Sequence, residues 1–424
     1  MEPIIEDSWL NACIVGLGFV GLPLAKRFLQ SGAQVTGIDL DEKKVLMLQA
    51  GKSYVSDVSD DELRRFLDRG KFICTNDYAA VASVDVVIVC VPTPLTATGV
   101  PDLTSVTNAV SSIASHLRQG QLIILESSTY PGTTEELVVP LLEKSGLKAG
   151  IDFYVAYSPE RINPGDEERD LSQIPKVVSG INEISLEKII AVYSKIFSQV
   201  FPVSTPRVAE FTKLLENTQR FINISMMNEL AMACEEWHID LWESIAAAST
   251  KPFGFAAYYP GPGIGGHCIP VDPIYLLWFG KQNHQLLQFI QIAQQINEQM
   301  PHYIAKRILR LALVPVPKVL AIGVTYKADV NDLRESASLR VIEELVASGA
   351  EVEYSDPFVP ELNVRGRGYA SLPLTPEHIS SFDVVAILTD HSEIDYELIQ
   401  VHASAVFDAR HVYKGQVGHN VTQL

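Results

Sequence analysis

Ala12-Cys-Ile-Val-Gly16-Leu-Gly18-Phe-Val-Gly21-Leu-Pro-Leu-Ala-Lys-Arg-Phe-Leu29 runs an apolar strand into a glycine triplet and then into a helix. The helix has apolar residues at 20, 24, 25, 28 and 29, followed by Ser31-Gly32, a strand at 34–38, and Asp39 at its end. This is a βαβ unit built for a dinucleotide. Gly16 makes the tight turn, Gly18 lets a pyrophosphate touch backbone, and Gly21 permits close helix–strand packing. The helix N-terminus faces the phosphates, and Asp39 is placed to bind a ribose diol. An acidic residue there favours NAD over NADP, because a 2′-phosphate would be repelled.

Further strands are predicted at 84–91, 121–126, 153–157 and 176–179, separated by helical stretches, which points to a doubly wound, mainly parallel sheet. Ligands bind outside the carboxyl ends of such strands, so three loops should line a site. They are Pro92-Thr-Pro94, Ser127-Ser-Thr129-Tyr-Pro-Gly-Thr133 and Ser158-Pro-Glu160-Arg161. Residues 207–236 are proline-free and helix-forming, and 285–313 reads as a second long helix with a kink or break at Pro301. From Lys318 the first pattern returns: strand, glycine, a helix over 336–348, a strand over 351–354, then Asp356. Asp383-Val-Val-Ala-Ile-Leu-Thr389 likewise echoes Asp85-Val-Val-Ile-Val-Cys-Val91. This third region lacks the glycine triplet and carries an inserted loop, so it should hold a nucleotide through Lys327 and Arg334 instead of bare backbone. The expected fold is α/β: two Rossmann-like, doubly wound parallel-sheet domains (1–205 and 315–424) joined by an all-helical domain (206–314) that supplies the cysteine loop and a dimer interface.

A chain of 424 residues is too long for one core, and 47% hydrophobic with 20% charged residues is an ordinary globular composition. The net charge of −18 argues against non-specific binding to nucleic acid or an anionic membrane. The five cysteines (13, 74, 90, 234 and 268) form neither a metal-ligand spacing nor a disulfide framework, which fits a reducing compartment. The acidic first seven residues do not read as a signal peptide, and no apolar run is long enough to span a bilayer. A cytoplasmic protein is expected.

One stretch carries chemistry of its own. Tyr258-Tyr259-Pro-Gly-Pro262-Gly-Ile-Gly265-Gly-His267-Cys268-Ile-Pro270-Val-Asp272-Pro273 places four glycines within the eight residues before a cysteine. A thiol presented on so open a backbone is a candidate nucleophile. His267 reads as a packing or cofactor-contacting residue, since neighbours in extended backbone point to opposite faces. Asp272 before Pro273 is explained as a helix cap, and equally as a group orienting a catalytic ammonium. Lys213, Asn217, Arg220 and Ile224 share one helix face. Phe211, Leu214, Leu215, Phe221 and Met226 imply that this helix is buried all round, so its Lys and Asn need partners. Glu160, at the site-lining edge, suits water activation.

In this order the motifs resemble the UDP-glucose/UDP-N-acetylhexosamine 6-dehydrogenases over essentially the whole chain. They are Gly16-Leu-Gly-Phe19-Val20-Gly21, Asp39, Ser128-Thr129, Ser158-Pro-Glu160, Lys213-x-x-x-Asn217, Gly265-Gly-His-Cys268-x-x-x-Asp272, and Lys327 through Arg334. The resemblance implies a four-electron oxidation of a sugar C6 alcohol with NAD, through a Cys268 thiohemiacetal and thioester. It gives catalytic roles to Cys268, Lys213, Asn217, Asp272, Glu160 and Thr129. Cofactor contacts are expected from Gly16, Gly18, Phe19, Val20, Gly21, Asp39, Lys44, Thr93, Thr129 and Arg334. Substrate contacts are expected from Glu160, Arg161, Lys213, Asn217, Arg220, Tyr259, Gly265, Tyr326, Lys327 and Arg410. No metal is expected, and a homodimer or higher homo-oligomer is.

Departures bear on the sugar. UDP-glucose enzymes typically follow the Pro-Glu with Phe and a second acidic residue four positions on, where this chain has Arg161 and Pro164. The glycine loop is similar to the N-acetylhexosamine branch. Lys251-Pro-Phe before the loop and Cys268-Ile-Pro270 resemble the UDP-N-acetylglucosamine enzymes more than the UDP-N-acetylmannosamine ones. UDP-N-acetylmannosamine and UDP-glucose remain the alternative substrates; a non-catalytic nucleotide-sugar-binding protein is the remote alternative.

Overall fold

Valine, isoleucine and leucine fill the central strands of this chain almost without interruption, because helices cover both faces of its sheets. The computed structural model describes residues 9–55, 57–161, 174–415 and 418–424, so Pro164 and the first seven residues lie outside the described residues. Its described residues pack as two units: residues 1–216 with 274–283, and residues 217–273 with 284–424.

In the first unit β1 (Asn11–Val15), β2 (Gln34–Ile38), β3 (Phe72–Thr75), β4 (Val86–Val89), β5 (Leu122–Leu125), β6 (Tyr154–Tyr157), β7 (Lys176–Gly180) and β8 (Val200–Pro202) form one sheet in the order β3-β2-β1-β4-β5-β6-β7-β8. Along β1 successive side chains enter opposite cores. Ala12 and Ile14 join one cluster with Leu22 and Phe28, while Cys13 and Val15 join another with Val87 and Ile123. The helices between these strands are α1 (Gly21–Gln30), α2 (Glu42–Gln49), α3 (Asp60–Asp68), α4 (Thr104–Ala114), α5 (Val139–Leu142) and α6 (Glu183–Tyr193). Ser59 and Glu62 close a capping box that starts α3. All neighbouring strands are parallel except β6 and β7, which run antiparallel.

Helices α7 (Pro206–Trp237) and α9 (Asp272–Gln282) contribute residues to both units, with α8 (Leu241–Ser249) and α10 (Gln288–Leu311) belonging to the second. Of the kink or break expected at Pro301 the break does not occur, since α10 runs through it. Proline lacks the N–H that would meet the Asn297 carbonyl and crowds that carbonyl with its ring, a local cost that the rest of a 24-residue helix carries. The Asn297 side chain is engaged elsewhere, its Oδ1 accepting from Ile264 N at 2.7 Å. Nor is α7 buried all round. Leu214 and Phe221 are buried, but Phe211, Leu215 and Met226 are exposed, lying on average about a quarter turn round the helix from the buried pair. No helix among the described residues is long and apolar enough to cross a membrane.

The second sheet orders its strands β10-β9-β13-β14-β15. They are β9 (Lys318–Ile322), β10 (Glu351–Ser355), β13 (Val384–Ile387), β14 (Val406–Asp408) and β15 (Val421–Gln423), with β11 (Glu361–Val364) and β12 (Arg367–Ala370) forming a separate hairpin. Its helices are α11 (Ala337–Ala347), α12 (Pro376–Ser380) and α13 (Tyr396–His402). The repeat read in the sequence extends to hydrogen bonds. Gly16 N donates to Ile38 O at 2.8 Å in the first unit, and Gly323 N to Ser355 O at 2.9 Å in the second.

Candidate functional site

The glycine loop of the first unit has the dimensions its sequence implies. Gly16 adopts φ +91°, and a Cβ there would lie 2.7 Å from the Cys90 carbonyl; at Gly21 it would lie 1.8 Å from Gly16 O. Helix α1 starts with no side-chain cap and no acidic residue in its first turn. Its N-terminal dipole is therefore open to a phosphate. Asp39 Oδ2 accepts from Leu17 N at 2.9 Å and Oδ1 from Asp41 N at 2.9 Å, which fixes the carboxylate while using two of about four lone-pair positions. A ribose diol fits that geometry. Phe19 is exposed and Val20 half-buried. Lys44 sits over the Tyr54 ring at 5.7 Å. Thr93 O accepts from Tyr275 OH at 2.8 Å. Thr129 is buried, and its Oγ1 has no hydrogen-bond partner among the described residues, as a group reserved for a ligand would be. These residues fit NAD.

At the carboxyl ends of β5 and β6 the same unit gathers its charged groups. Lys213 Nζ donates to Ser128 Oγ. Glu210 holds the neighbouring loop, accepting from Gly132 N at 2.6 Å, Thr134 N at 2.8 Å and Thr134 Oγ1 at 2.7 Å. Glu160 Oε1 accepts from Arg161 N at 2.8 Å, and Oε2 from Lys176 Nζ at 2.9 Å. Lys176 also donates to Glu126 at 3.0 Å, and Tyr193 OH donates to the other oxygen of Glu126. Burial pushes the Glu126 carboxyl up; burial would lower Lys176, but the charges of Glu126 and Glu160 outweigh it and raise it. Arg161 points its guanidinium at Glu216 and Pro175 O. The sequence offered no sign of Glu126, Lys176, Tyr193 or Glu210. They sit in apolar strands and helices and acquire meaning only through their neighbours across the sheet.

The cysteine loop lies in the second unit. Cys268 is half-buried, and its carbonyl accepts from Asp272 N at 2.9 Å, so the loop turns straight into α9. Asp272 is buried, and its Oδ2 accepts from Asn217 Nδ2 at 2.5 Å. Arg220 in turn donates to Asn217 Oδ1. Gly266, at φ +89°, packs so closely on Tyr326 that a Cβ would come within 2.9 Å of the ring, and Gly265 meets the same residue. His267 faces Asp332 at 3.8 Å and the edge of Tyr326. Arg334 forms three hydrogen bonds to the Asp332 carboxylate, whose depressed pKa results because this pairing outweighs burial. Lys327 is half-buried. Arg410 donates to Leu388 O at 2.8 Å and borders Gly261, while Tyr259 stacks on Trp242.

The second sheet also shows why it cannot repeat the first site. Asp356 occupies the place of Asp39, its Oδ2 accepting from Val324 N at 2.8 Å. The same oxygen faces His391 Nε2 at 3.0 Å, both residues are buried, and His391 Nδ1 accepts from Asp329 N at 3.0 Å. The carboxylate that accepts from Leu17 N and Asp41 N in the first unit has as its counterpart here a clasp, through His391, for the loop bearing Tyr326 and Lys327. Among the cysteines, burial pushes the Cys13 and Cys74 thiols up to about 12 and Cys90 well upward, and Cys234 is buried. Cys268 is the nucleophile candidate that remains.

Comparison with known proteins agrees. Models of the UDP-glucose/GDP-mannose dehydrogenase family match the NAD binding domain over residues 10–200, the central domain over 207–299 and the UDP binding domain over 320–415. A UDP-N-acetyl-D-glucosamine 6-dehydrogenase of Salmonella typhi is 36% identical over 393 residues, covering 91% of this chain and 90% of its own. A UDP-N-acetyl-D-mannosamine dehydrogenase of Pyrococcus horikoshii is 32% identical over 416 residues, covering 96% of each. The solved UDP-D-ManNAc dehydrogenase structure from Pyrococcus horikoshii superposes with a TM-score of 0.88 at 31% identity, covering 98% of this chain and 99% of that one. The chain belongs to the UDP-glucose/GDP-mannose dehydrogenase family, as an NAD-dependent oxidoreductase acting on a UDP-sugar.

Proposed function

We propose that this enzyme oxidises the C6 alcohol of UDP-N-acetyl-D-glucosamine to the uronic acid. One alcohol, two NAD and one water give one carboxylate, two NADH and three protons. Bound NAD supplies the hydride acceptor in each oxidation. Lys213, with Asn217, stabilises the alkoxide formed as the alcohol loses its proton. The Cys268 thiolate adds to the aldehyde carbon, which keeps the substrate covalently held for the second oxidation. The resulting thioester is opened by water: a C–O bond forms, the C–S bond breaks, and its electron pair returns to Sγ. Glu160, Thr129 and Asp272 orient that water and accept its proton. Lys327 and Arg410 hold the UDP-sugar, and Arg334 acts toward NAD.

The choice of sugar rests on one observation, the residues flanking the glycine loop, Lys251-Pro-Phe and Cys268-Ile-Pro270. The similarity to the Salmonella typhi enzyme supports it. Assay of the purified protein with NAD against UDP-N-acetylglucosamine, UDP-N-acetylmannosamine and UDP-glucose tests it; turnover confined to either rival would overturn it. No NADH from any UDP-sugar would favour a non-catalytic nucleotide-sugar-binding protein. Thioester hydrolysis without NAD would favour a cysteine hydrolase. The enzyme works in the cytoplasm as a homodimer or higher oligomer, feeding polysaccharide synthesis. Exposed Phe211, Leu215 and Met226 on α7 support the oligomer, which light scattering tests.

A further inference from the structure

We infer that Lys176 is a positioning residue for Glu160, and that Glu126 and Tyr193 hold Lys176 in place. The inference rests on the reading of Glu160 as the group that orients water in thioester hydrolysis. The placement follows from one strand reversal. Glu126 follows the last residue of β5 and Glu160 stands three residues beyond β6, both at the carboxyl edge of the sheet. Because β7 runs antiparallel to β6, its first residue, Lys176, reaches that same edge. A parallel β7 would present its other end there.

The three charged side chains are all buried, and the cluster of one ammonium and two carboxylates is anionic when all are ionised. Such a buried cluster is a poor device for stability alone, since an apolar filling of equal volume does as well or better. Its geometry serves orientation. Glu160 is held at both oxygens, by Arg161 N at 2.8 Å and by Lys176 at 2.9 Å, so its carboxylate cannot swivel. Lys176 is itself fixed by Glu126 at 3.0 Å, and Glu126 by Tyr193. The Lys176 ammonium also lies 5.3 Å from the Phe197 ring centroid and 6.0 Å from that of Tyr193. Glu160 is the least buried of the three charged residues, at 8% exposure, and so terminates a chain of contacts that begins in the core at Tyr193. A catalytic carboxylate must be held within a fraction of an ångström of its working geometry, and supporting contacts of this kind do that.

The test uses the full-length enzyme with NAD and its UDP-sugar, reading NADH formation, acid release and the intact mass of the Cys268 adduct. Lys176→Met should lower steady-state acid release at least about tenfold with the covalent adduct accumulating on Cys268, while the first NADH forms at close to the wild-type rate. Lys176→Arg, which keeps a buried cation, should recover most of the loss. A folded Lys176→Met enzyme that releases acid at wild-type rate, or a Lys176→Arg enzyme as slow as Lys176→Met with no adduct, overturns the inference. Should Lys176→Met not fold, Glu126→Gln decides. A fall of about threefold with adduct accumulation supports the positioning role, and an unchanged rate overturns it. Glu160→Gln separates the two levels. If it slows acid release while Lys176→Met does not, only the positioning inference falls; if it leaves acid release unchanged, the reading of Glu160 falls with it.

Discussion

Asn217 donates to the buried carboxylate of Asp272 through an Nδ2–Oδ2 contact of 2.5 Å, joining α7 to the turn that follows Cys268. Beside its place at the start of α9, the Asp272 side chain thus has a partner on α7. Removing the donor from a buried carboxylate costs about 1–3 kcal/mol. Asn217→Ala should therefore lower the melting temperature by several degrees and cut kcat/KM at least about tenfold. Calorimetry and steady-state NADH formation measure the two effects.

Two glycines of the same loop should behave differently. A Cβ at Gly18 meets nothing within 4 Å, whereas one at Gly21 lies 1.8 Å from Gly16 O. Gly18→Ala should leave thermal stability close to wild type yet weaken NAD binding about tenfold, because only the ligand's approach forbids the methyl group. Gly21→Ala should destabilise the fold itself by about 1–3 kcal/mol. Melting curves with and without NAD distinguish the two.

Cys268→Ser should abolish net acid formation while the protein remains folded, since a hydroxyl at this half-buried position is a far weaker nucleophile toward the aldehyde. Chromatography of the products under excess NAD checks it. Uronate released at the wild-type rate would exclude the covalent route.

Acid should unfold the second unit through Asp356. Burial alone would raise its carboxyl, but the His391 contact and the Val324 N–H outweigh burial and hold it below its ordinary value of about 3.9. A depressed folded pKa contributes stability above the unfolded value and loses it as pH falls through the folded one. Melting temperature should therefore drop steeply below about pH 4. Asp356→Asn should melt lower at pH 7 and show a flatter acid limb; an unchanged acid limb in that variant would assign the loss to other carboxylates.

Local chemistry carried much of this protein into view. The glycine spacing at 16, 18 and 21, the acidic residue closing the second strand at 39 and the glycines before Cys268 are patterns of residue type along the chain, so they could be read without knowing what each residue touches. The echo of the first βαβ unit from Lys318 onward was legible for the same reason. Tertiary structure decided the partners. The reversal of β7 brings Lys176 to Glu160 and Glu126, the Asp356–His391 contact ties Asp356 to the loop after β9, and α10 continues through Pro301. The exposed side of α7 belongs with these, because periodicity marks a helix as apolar without saying which residues its neighbours cover. A buried charge has no meaning in one dimension, since its energy is set by the opposite charge that the topology places beside it.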